Sequence, residues 1–525
     1  MSARLRFCLA GLSILLLCAL FLPVADPWED RIILDFRPPA LALVLGVMIG
    51  VAGLARWRIG RAAQLGLAAL VLAAALLQLV AALVQRFLDR GLDLYFDVAQ
   101  LPSLLGLFTE AFGPWRATAV LSGALLVLLL TLGTLAWSIG VWQKLLTPRA
   151  SAVALVIVAA VSAGALRWDG IDFAAPREIA EQASRFYQAW AVMAGIDHRY
   201  DAELAHPAPA GGDLAQLKTH DVLLIYVESY GTVVFDEPRY RNTLAPALAQ
   251  FGAAAKAAGY SIASSRLVSP TFGGGSWLAH GTLASGLKLD PFLYRLLTEG
   301  NRKNLARYFE DAGHRTVAVM PGIKKPWPEG AFWGFERSYY AADLAYRGPG
   351  FGWFDIPDQY TLARFAAAEL GPGHQPLFAE LVLVSSHTPF TPVPPYVADW
   401  NDAGAFRGVA PEEWARIDRP PDWSNLEKPY LQALAYDLET LGAFLARLPG
   451  DPLVIILGDH QPPGLAAGAK SPWTVPVHVL ARNPALLKPF RRLGYVDGLF
   501  PPPQTFKGME SFLGDFLAGF SAEAG

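Results

Sequence analysis

Apolar positions divide this chain into two parts with different rhythms. In the first third, long apolar stretches fall at about 7–24, 40–55, 62–84, 117–141 and 150–166. Their lengths predict about five membrane-spanning helices, the second and fifth near the short limit. The first stretch reads as an anchor rather than a cleaved signal, because more spans follow and "FLPVADPW" is a weak cleavage site. Further on, the apolar runs shorten to strand length. They are "VLLIYVES" (222–229), "SIASSRLVS" (261–269), "RTVAVMPG" (315–322), "LFAELVLVSSH" (377–387), "LVIILGDH" (453–460) and "TVPVHVLA" (474–481). Helical patterns such as "LAPALAQFGAAAKAAG" and "LQALAYDLETLGAFLARL" lie between them. Continuous apolar strands alternating with helices predict an α/β domain with a mainly parallel, helix-covered sheet. In such sheets the ligand site lies beyond the carboxyl ends of the strands.

The join between the two parts has its own pattern. Within 168–203, "REIAEQASRFYQAWAVMAG" places apolar residues at helical spacing. "LAHPAPAGGD" (204–213) reads as a linker. The predicted organisation is therefore a transmembrane domain at 1–167, a juxtamembrane helix and linker at 168–212, and an α/β domain at 213–525.

Charge sets the orientation of the spans. Arg4 and Arg6 precede the first, Arg56, Arg58 and Arg61 separate the second and third, and Lys144 and Arg149 separate the fourth and fifth. The alternate loops, 26–39 and 86–116, carry an acidic excess. Positive-inside counting places the N-terminus in the cytoplasm, and an odd number of spans places everything after about 167 outside. The predicted location is a multi-pass cytoplasmic (inner) membrane protein with an extracytoplasmic or periplasmic α/β domain. A hydrophobic content of 53% agrees with membrane insertion, and the net charge of −3, without basic runs, predicts no nucleic-acid partner. The two cysteines, Cys8 and Cys18, both fall in the first span, so the external domain has neither disulfides nor thiolate ligands.

Chemistry collects at the strand ends. The first domain strand runs into Glu228, the fourth into His387 and the fifth into Asp459 and His460. Singly, Glu228 reads equally well as a helix cap and His387 as a loop histidine. "GDHQPP" is harder to explain as core, because an unpaired buried acid is costly. A convergent Glu, Asp and His suits one divalent metal ion with mixed oxygen and nitrogen ligands, manganese or zinc rather than magnesium. In "SPTFGGGSWLAHGTLASG" (269–286), Ser276 stands where three glycines end and a helix begins. Metal coordination and a helix N-terminus both favour its alkoxide, and Gly275 lets the backbone approach a ligand. An N-cap is the structural alternative for Ser276, and Thr271 is the alternative nucleophile. His280 lies one helical turn after Ser276 and so on the same face, either toward a substrate phosphate or as a packing residue.

Together these segments resemble the alkaline phosphatase superfamily in its sulfatase-like branch. The membrane enzymes of that branch, lipoteichoic acid synthases and lipid A phosphoethanolamine transferases, are similar in layout. "IYVESYG" resembles the first metal-ligand strand and "GDHQPP" the Asp-His ligand pair, which implies Glu228, Ser276, Asp459 and His460 as metal ligands. "SSHTPF" resembles the substrate-side histidine motif, and "FEDAGHRTVAVMPG" the segment after the nucleophile helix. "SWLAHGTLASG" overlays the sulfatase pattern C-x-P-S-R-x-x-L-x-T-G without gaps, with Ser276 on the cysteine. The Pro and Arg of that pattern are missing, His280 replacing the Arg, so formylglycine conversion is not implied. "KKPWPEGAFWGFERSYY" lacks the arginine of the glycerol-phosphate-binding segment. The resemblance implies transfer of a phospho-head-group, of phosphoethanolamine or glycerol phosphate type, through a covalent Ser276 intermediate, with His387 assisting. The donor would be a membrane phospholipid and the acceptor an envelope glycolipid or glycan. The alternatives are a hydrolase of phosphate or sulfate esters and a non-enzymatic lipid sensor. Loops at 343–358 and 388–430 are candidates for choosing the substrate.

Overall fold

The computed structural model describes residues 12, 17–21, 23–25, 32–34, 37–88, 90–168, 170–209, 212–352, 354–404, 406, 422, 425–468, 471–503 and 507–522. Contacts divide the chain into two units, Met1–Asp197 and His198–Gly525.

The first unit has a short antiparallel ribbon, β1 (Pro23–Ala25) with β2 (Ile32–Leu34), and the helices α1 (Ala40–Leu54), α2 (Arg61–Leu88), α3 (Leu94–Phe112), α4 (Pro114–Leu145), α5 (Pro148–Trp168) and α6 (Ala174–Met193). Among the described residues, three helical segments, Arg61–Arg86, Pro114–Leu145 and Pro148–Ala165, are long and apolar enough to cross a membrane. The shortest has 18 residues, which at about 1.5 Å per residue approaches the ~30 Å hydrocarbon core. The expected second span is α1, which is apolar but has only 15 residues. The expected first span lies mostly outside the described residues. Small residues let α1 and α5 approach closely: a Cβ on Gly50 would sit 2.8 Å from Leu155, and Gly46 faces Val158 at 3.4 Å.

Part of the expected loop at 86–116 is helix α3. Its apolar periodicity is interrupted by Asp97, Glu110 and Pro102, which hid it in the sequence. Locally it is well begun. Asp93 caps it by accepting from the Tyr95 and Phe96 amides, and Arg90 pairs with Asp97 at 2.6 Å.

The second unit is built on a nine-stranded sheet in the order β10–β4–β9–β8–β3–β7–β5–β6, with β11 beside β4. Its strands are β3 (Val222–Val227), β4 (Ser261–Val268), β5 (Arg315–Met320), β6 (Arg337–Tyr340), β7 (Leu377–Leu383), β8 (Leu453–Gly458), β9 (Thr474–Ala481), β10 (Val496–Asp497) and β11 (Lys507–Gly508). All six predicted strand segments are present. The sheet is mixed. It is parallel from β8 through β6, but β9 runs antiparallel to β8 and β4 antiparallel to β9. The cause is the β8–β9 connection. It contains only a one-turn helix, Gly464–Ala467, so the chain turns back instead of crossing over.

Side chains of the strands alternate between two cores. One face carries Leu223, Ile225 and Val227 of β3 under the helices α7 (Pro238–Ala257), α9 (Asp358–Glu369) and α10 (Glu427–Leu445). The other carries Val222, Leu224 and Tyr226 under α8 (Ser276–Ser285) and α11 (Ser511–Phe520). Every residue of β3 is therefore buried, which is why the sequence shows an unbroken apolar run there.

Backbones come closest at the ends of β3 and β8. A Cβ on Gly458 would lie 1.9 Å from the Tyr230 carbonyl oxygen. Gly458→Ala is predicted to destabilise the sheet unit by about 1–3 kcal/mol or more, as overpacking does. Chemical denaturation of the purified chain, followed by tryptophan fluorescence, should show a lower midpoint at unchanged slope.

Candidate metal centre and nucleophile

Strands β8, β3 and β7 are neighbours and parallel, so their carboxyl ends open at one edge of the sheet. β3 delivers Glu228, and β8 delivers Asp459 and His460. One ligand atom from each lies within 4.8 Å of the others, and all three residues are buried. α8 brings Ser276 to the same place. The Ser276 hydroxyl lies 3.1 Å from Glu228 Oε2 and 3.2 Å from His460 Nε2.

Local backbone geometry aims each group. Ser229, just past β3, sits in the left-handed region at φ 58°. This turn lets its amide donate to Asp459 Oδ1 at 2.8 Å and its hydroxyl to Glu228 Oε1 at 3.1 Å. The His460 amide donates to the same Asp459 oxygen at 2.7 Å. His460 Nδ1 faces the Gln461 carbonyl at 2.7 Å, which assigns the proton to Nδ1 and leaves the Nε2 lone pair toward the cluster. Gly275 precedes α8 at φ 77°, a left-handed position suited to glycine, and makes Ser276 the first residue of the helix. The glycine turn is tied to the ligand loop: the Gly273 amide donates to the Gln461 carbonyl at 3.1 Å, and Ser269 donates to the Asp459 carbonyl at 2.6 Å.

This donor set fits a divalent cation. Asp459 Oδ2 is fully buried and has no hydrogen-bond partner. It faces His460 Nε2 at 3.7 Å. Such an orphaned acceptor costs about 1–3 kcal/mol, more when charged, so the arrangement calls for a positive group among the side chains. Without a cation, protons take that role. Burial would pull His460 down, but the charges of Asp459 and Glu228 outweigh it and push the imidazole up to about 9. Burial, then the nearby Glu228, push Asp459 up to about 7. Burial opposes the ionisation of Glu228 too, but His460 at 3.2 Å holds it below the usual carboxylate range.

Other candidate residues fall into place around this cluster. His387 follows β7; its Nδ1 lies 2.7 Å from the Thr388 carbonyl, its ring packs edge-on against Phe354 at 4.7 Å, and it contributes favourably to the charge of Glu228. The Thr271 hydroxyl donates to the Gly274 carbonyl, bracing the glycine turn. His280 stacks on Tyr226 with ring centroids 3.9 Å apart, and its Nε2 is sealed from solvent without a partner. Burial pulls its pKa down to about 3, so its ring is neutral. Arg482, just past β9, lies away from the cluster, at the opposite edge of the sheet beside the start of β8, where it donates to the carbonyls of Ala258 and Leu448; Lys470, between β8 and β9, lies outside the described residues. Sequence reasoning missed Ser229, Ser269 and Gln461. Of these only Gln461 carried a signal, its place directly after the Asp-His pair.

No protein-family profile and no curated protein matches this chain. Among solved structures, it is similar to the lipoteichoic acid synthase LtaP of Listeria monocytogenes, with 14% identity over 53% of this chain and 70% of that one, at a TM-score of 0.37. It is also similar to the Streptococcus pyogenes phosphoglycerol transferase GacH in complex with sn-glycerol-1-phosphate, with 14% identity over 56% and 75%, at a TM-score of 0.36. A third is the C-terminal periplasmic domain of EcEptC from Escherichia coli in complex with Zn, with 13% identity over 61% and 87%, at a TM-score of 0.39.

Metal binding here should depend on pH with a definite sign. A bound cation displaces protons from His460 and Asp459, so affinity should increase as the pH rises through about 7 toward about 9. Calorimetric titration with manganese or zinc, in buffers of different ionisation enthalpy, should show proton release on binding. Asp459→Asn should lower the affinity at least about tenfold, the scale at which even supporting groups of a metal site act.

Proposed function

We propose that this chain is a metal-dependent membrane enzyme of the sulfatase-like branch of the alkaline phosphatase superfamily. In this reading it moves a phospho-head-group from a membrane phospholipid, through Ser276, to an alcohol on an envelope glycolipid or glycan. One observation carries it: a hydroxyl at a helix N-terminus, 3.1 Å from a buried carboxylate and 3.2 Å from a buried imidazole nitrogen. A structural N-cap needs no such partners.

Glu228, Asp459, His460 and the Ser276 oxygen would hold one divalent ion, manganese or zinc by the mixed donor set. When bound, it lowers the pKa of the serine hydroxyl and neutralises phosphoryl oxygen charge. The residues do the rest. Ser276 Oγ, entering the cycle as the alkoxide after its proton has gone to solvent, attacks phosphorus; the phosphorus–oxygen bond to the diacylglycerol breaks, and the departing oxygen takes a proton from His387. The acceptor hydroxyl then gives its proton to His387 as its oxygen attacks phosphorus, the Ser276 Oγ–phosphorus bond breaks, and Ser276 Oγ leaves as the alkoxide, so both residues return to their starting states. The N-terminus of α8, with Gly275, would face the transferred phosphate. His280 supports α8 from below.

Five spans with a cytoplasmic N-terminus complete the reading, and place residues 213–525 as the catalytic domain outside the cytoplasmic membrane. Anchoring there keeps the site close to lipid head groups and raises the effective concentration of the donor.

Intact mass spectrometry of the full chain in detergent, incubated with manganese or zinc and total membrane lipid, tests this. An adduct on native protein, absent from Ser276→Ala and present on Thr271→Ala, is the predicted result, and its mass names the group. Bound metal with no adduct under any lipid would turn the reading toward a hydrolase. Absence of both would favour a lipid sensor.

A further inference from the structure

Behind the cluster, on the sheet face covered by α9 and α10, two carboxyl groups meet in the interior. Asp358 opens α9 and Asp437 lies in the middle of α10, and both are 0% exposed. Their surroundings differ. Asp358 accepts two backbone N–H groups, Val384 at 2.7 Å on Oδ1 and Ser385 at 2.9 Å on Oδ2. Among the described residues neither oxygen of Asp437 has a hydrogen-bond partner; the nearby Ser386 hydroxyl eases its charge, but its one proton goes to the Glu228 carbonyl. The titratable groups facing the pair are each other, Glu228 from β3, and Tyr436 on α10; among the described residues no cation faces them. Two buried anions side by side, one of them facing no donor but a shared serine hydroxyl, are not tenable. Two N–H donors stabilise charge on Asp358. Asp437 faces only the Ser386 hydroxyl, whose proton is committed to the Glu228 carbonyl.

We propose that Asp437 carries a proton and donates it to Asp358, and that the anion left on Asp358 clamps the turn 384–387, which bears His387. The clamp extends to the metal cluster, because Ser386 in this turn donates to the Glu228 carbonyl at 2.7 Å. Asp358 is thereby a positioning residue for both strand ends, and Asp437 is the acid that makes its burial tolerable. Burial and the adjacent Asp358 charge both raise the Asp437 pKa, in agreement with this assignment. The catalytic consequence rests on the reading of Glu228 and His387 given above, while the protonation and the clamp do not.

The test uses the full chain in detergent micelles. Infrared spectroscopy with carbon-13 aspartate should show a protonated carboxyl band at neutral pH that is lost in Asp437→Asn. Hydrogen exchange, read by mass spectrometry over residues 377–387, should be unchanged in Asp437→Asn, because an amide can still donate to Asp358. It should rise about tenfold or more at residues 384–385 in Asp358→Asn, whose side chain cannot accept both N–H groups as an anion does. The proposal is overturned if no protonated band disappears in Asp437→Asn, or if that variant deprotects the turn as Asp358→Asn does. Loss of an equimolar bound cation from Asp437→Asn would overturn it in favour of a second metal site. If Asp358→Asn does not fold, the two Asp437→Asn readouts decide alone. None of them depends on adduct formation at Ser276, so this inference and the proposed function fail separately.

Discussion

Two carboxylates and an imidazole, buried together at the end of a sheet, are the constraint on which the rest of this unit depends. Glu228 and Asp459 repel each other in a medium that cannot screen them. Backbone N–H groups from Ser229 and His460 fix one Asp459 oxygen and leave the other unpartnered. A positive charge in their midst relieves this, as an imidazolium or as a bound metal ion, and so does a proton on Asp459. The parallel pairing of β8 with β3 brings the acids together, and the glycines at 231 and 458 allow the two strand ends to touch. A cluster held this rigidly is preorganised for a cation and unfavourable without one.

Much of this was legible in the sequence for a physical reason. Strands buried on both faces are continuous apolar runs, so an acid or histidine at the end of such a run stands out. Glu228, His387, Asp459 and His460 were singled out that way, and Ser276 by the glycines before it and the spacing it shares with the sulfatase pattern; the structure brings Glu228, Asp459, His460 and Ser276 together. What could not be read was set by tertiary pairing. Nothing local in "TVPVHVLA" says that β9 runs antiparallel to β8, because a fully buried strand reads the same in either direction. Ser229 reads as an ordinary residue, and only the approach of Asp459 explains its left-handed backbone. Asp437 reads as a polar position on a helix, yet lies fully buried against a second acid. Helix α3 was hidden by charges that its own cap and ion pair employ.

Ser276, the Glu228–Asp459–His460 cluster and the acid pair form layers through one sheet edge. Ser276 approaches from α8 on one face, and Asp358 and Asp437 support the strand ends from α9 and α10 on the other. The alternation of β3 makes this possible, sending Tyr226 toward α8 and Val227 toward α10 before the chain turns at Glu228. His280 illustrates the division of labour: it shares a face with Ser276, but its stacking on Tyr226 takes its ring into the interior.

The proposed function stands on this cluster being a metal centre with Ser276 among its ligands. Anomalous diffraction from crystals of the protein grown with manganese or zinc, recorded on both sides of the metal's absorption edge, tests it most directly. One strong peak is expected among Glu228, Asp459, His460 and the Ser276 oxygen, with His460 bound through Nε2. A cluster that stays free of metal at saturating concentration, or a peak that leaves Ser276 uncoordinated and turned away, would contradict it.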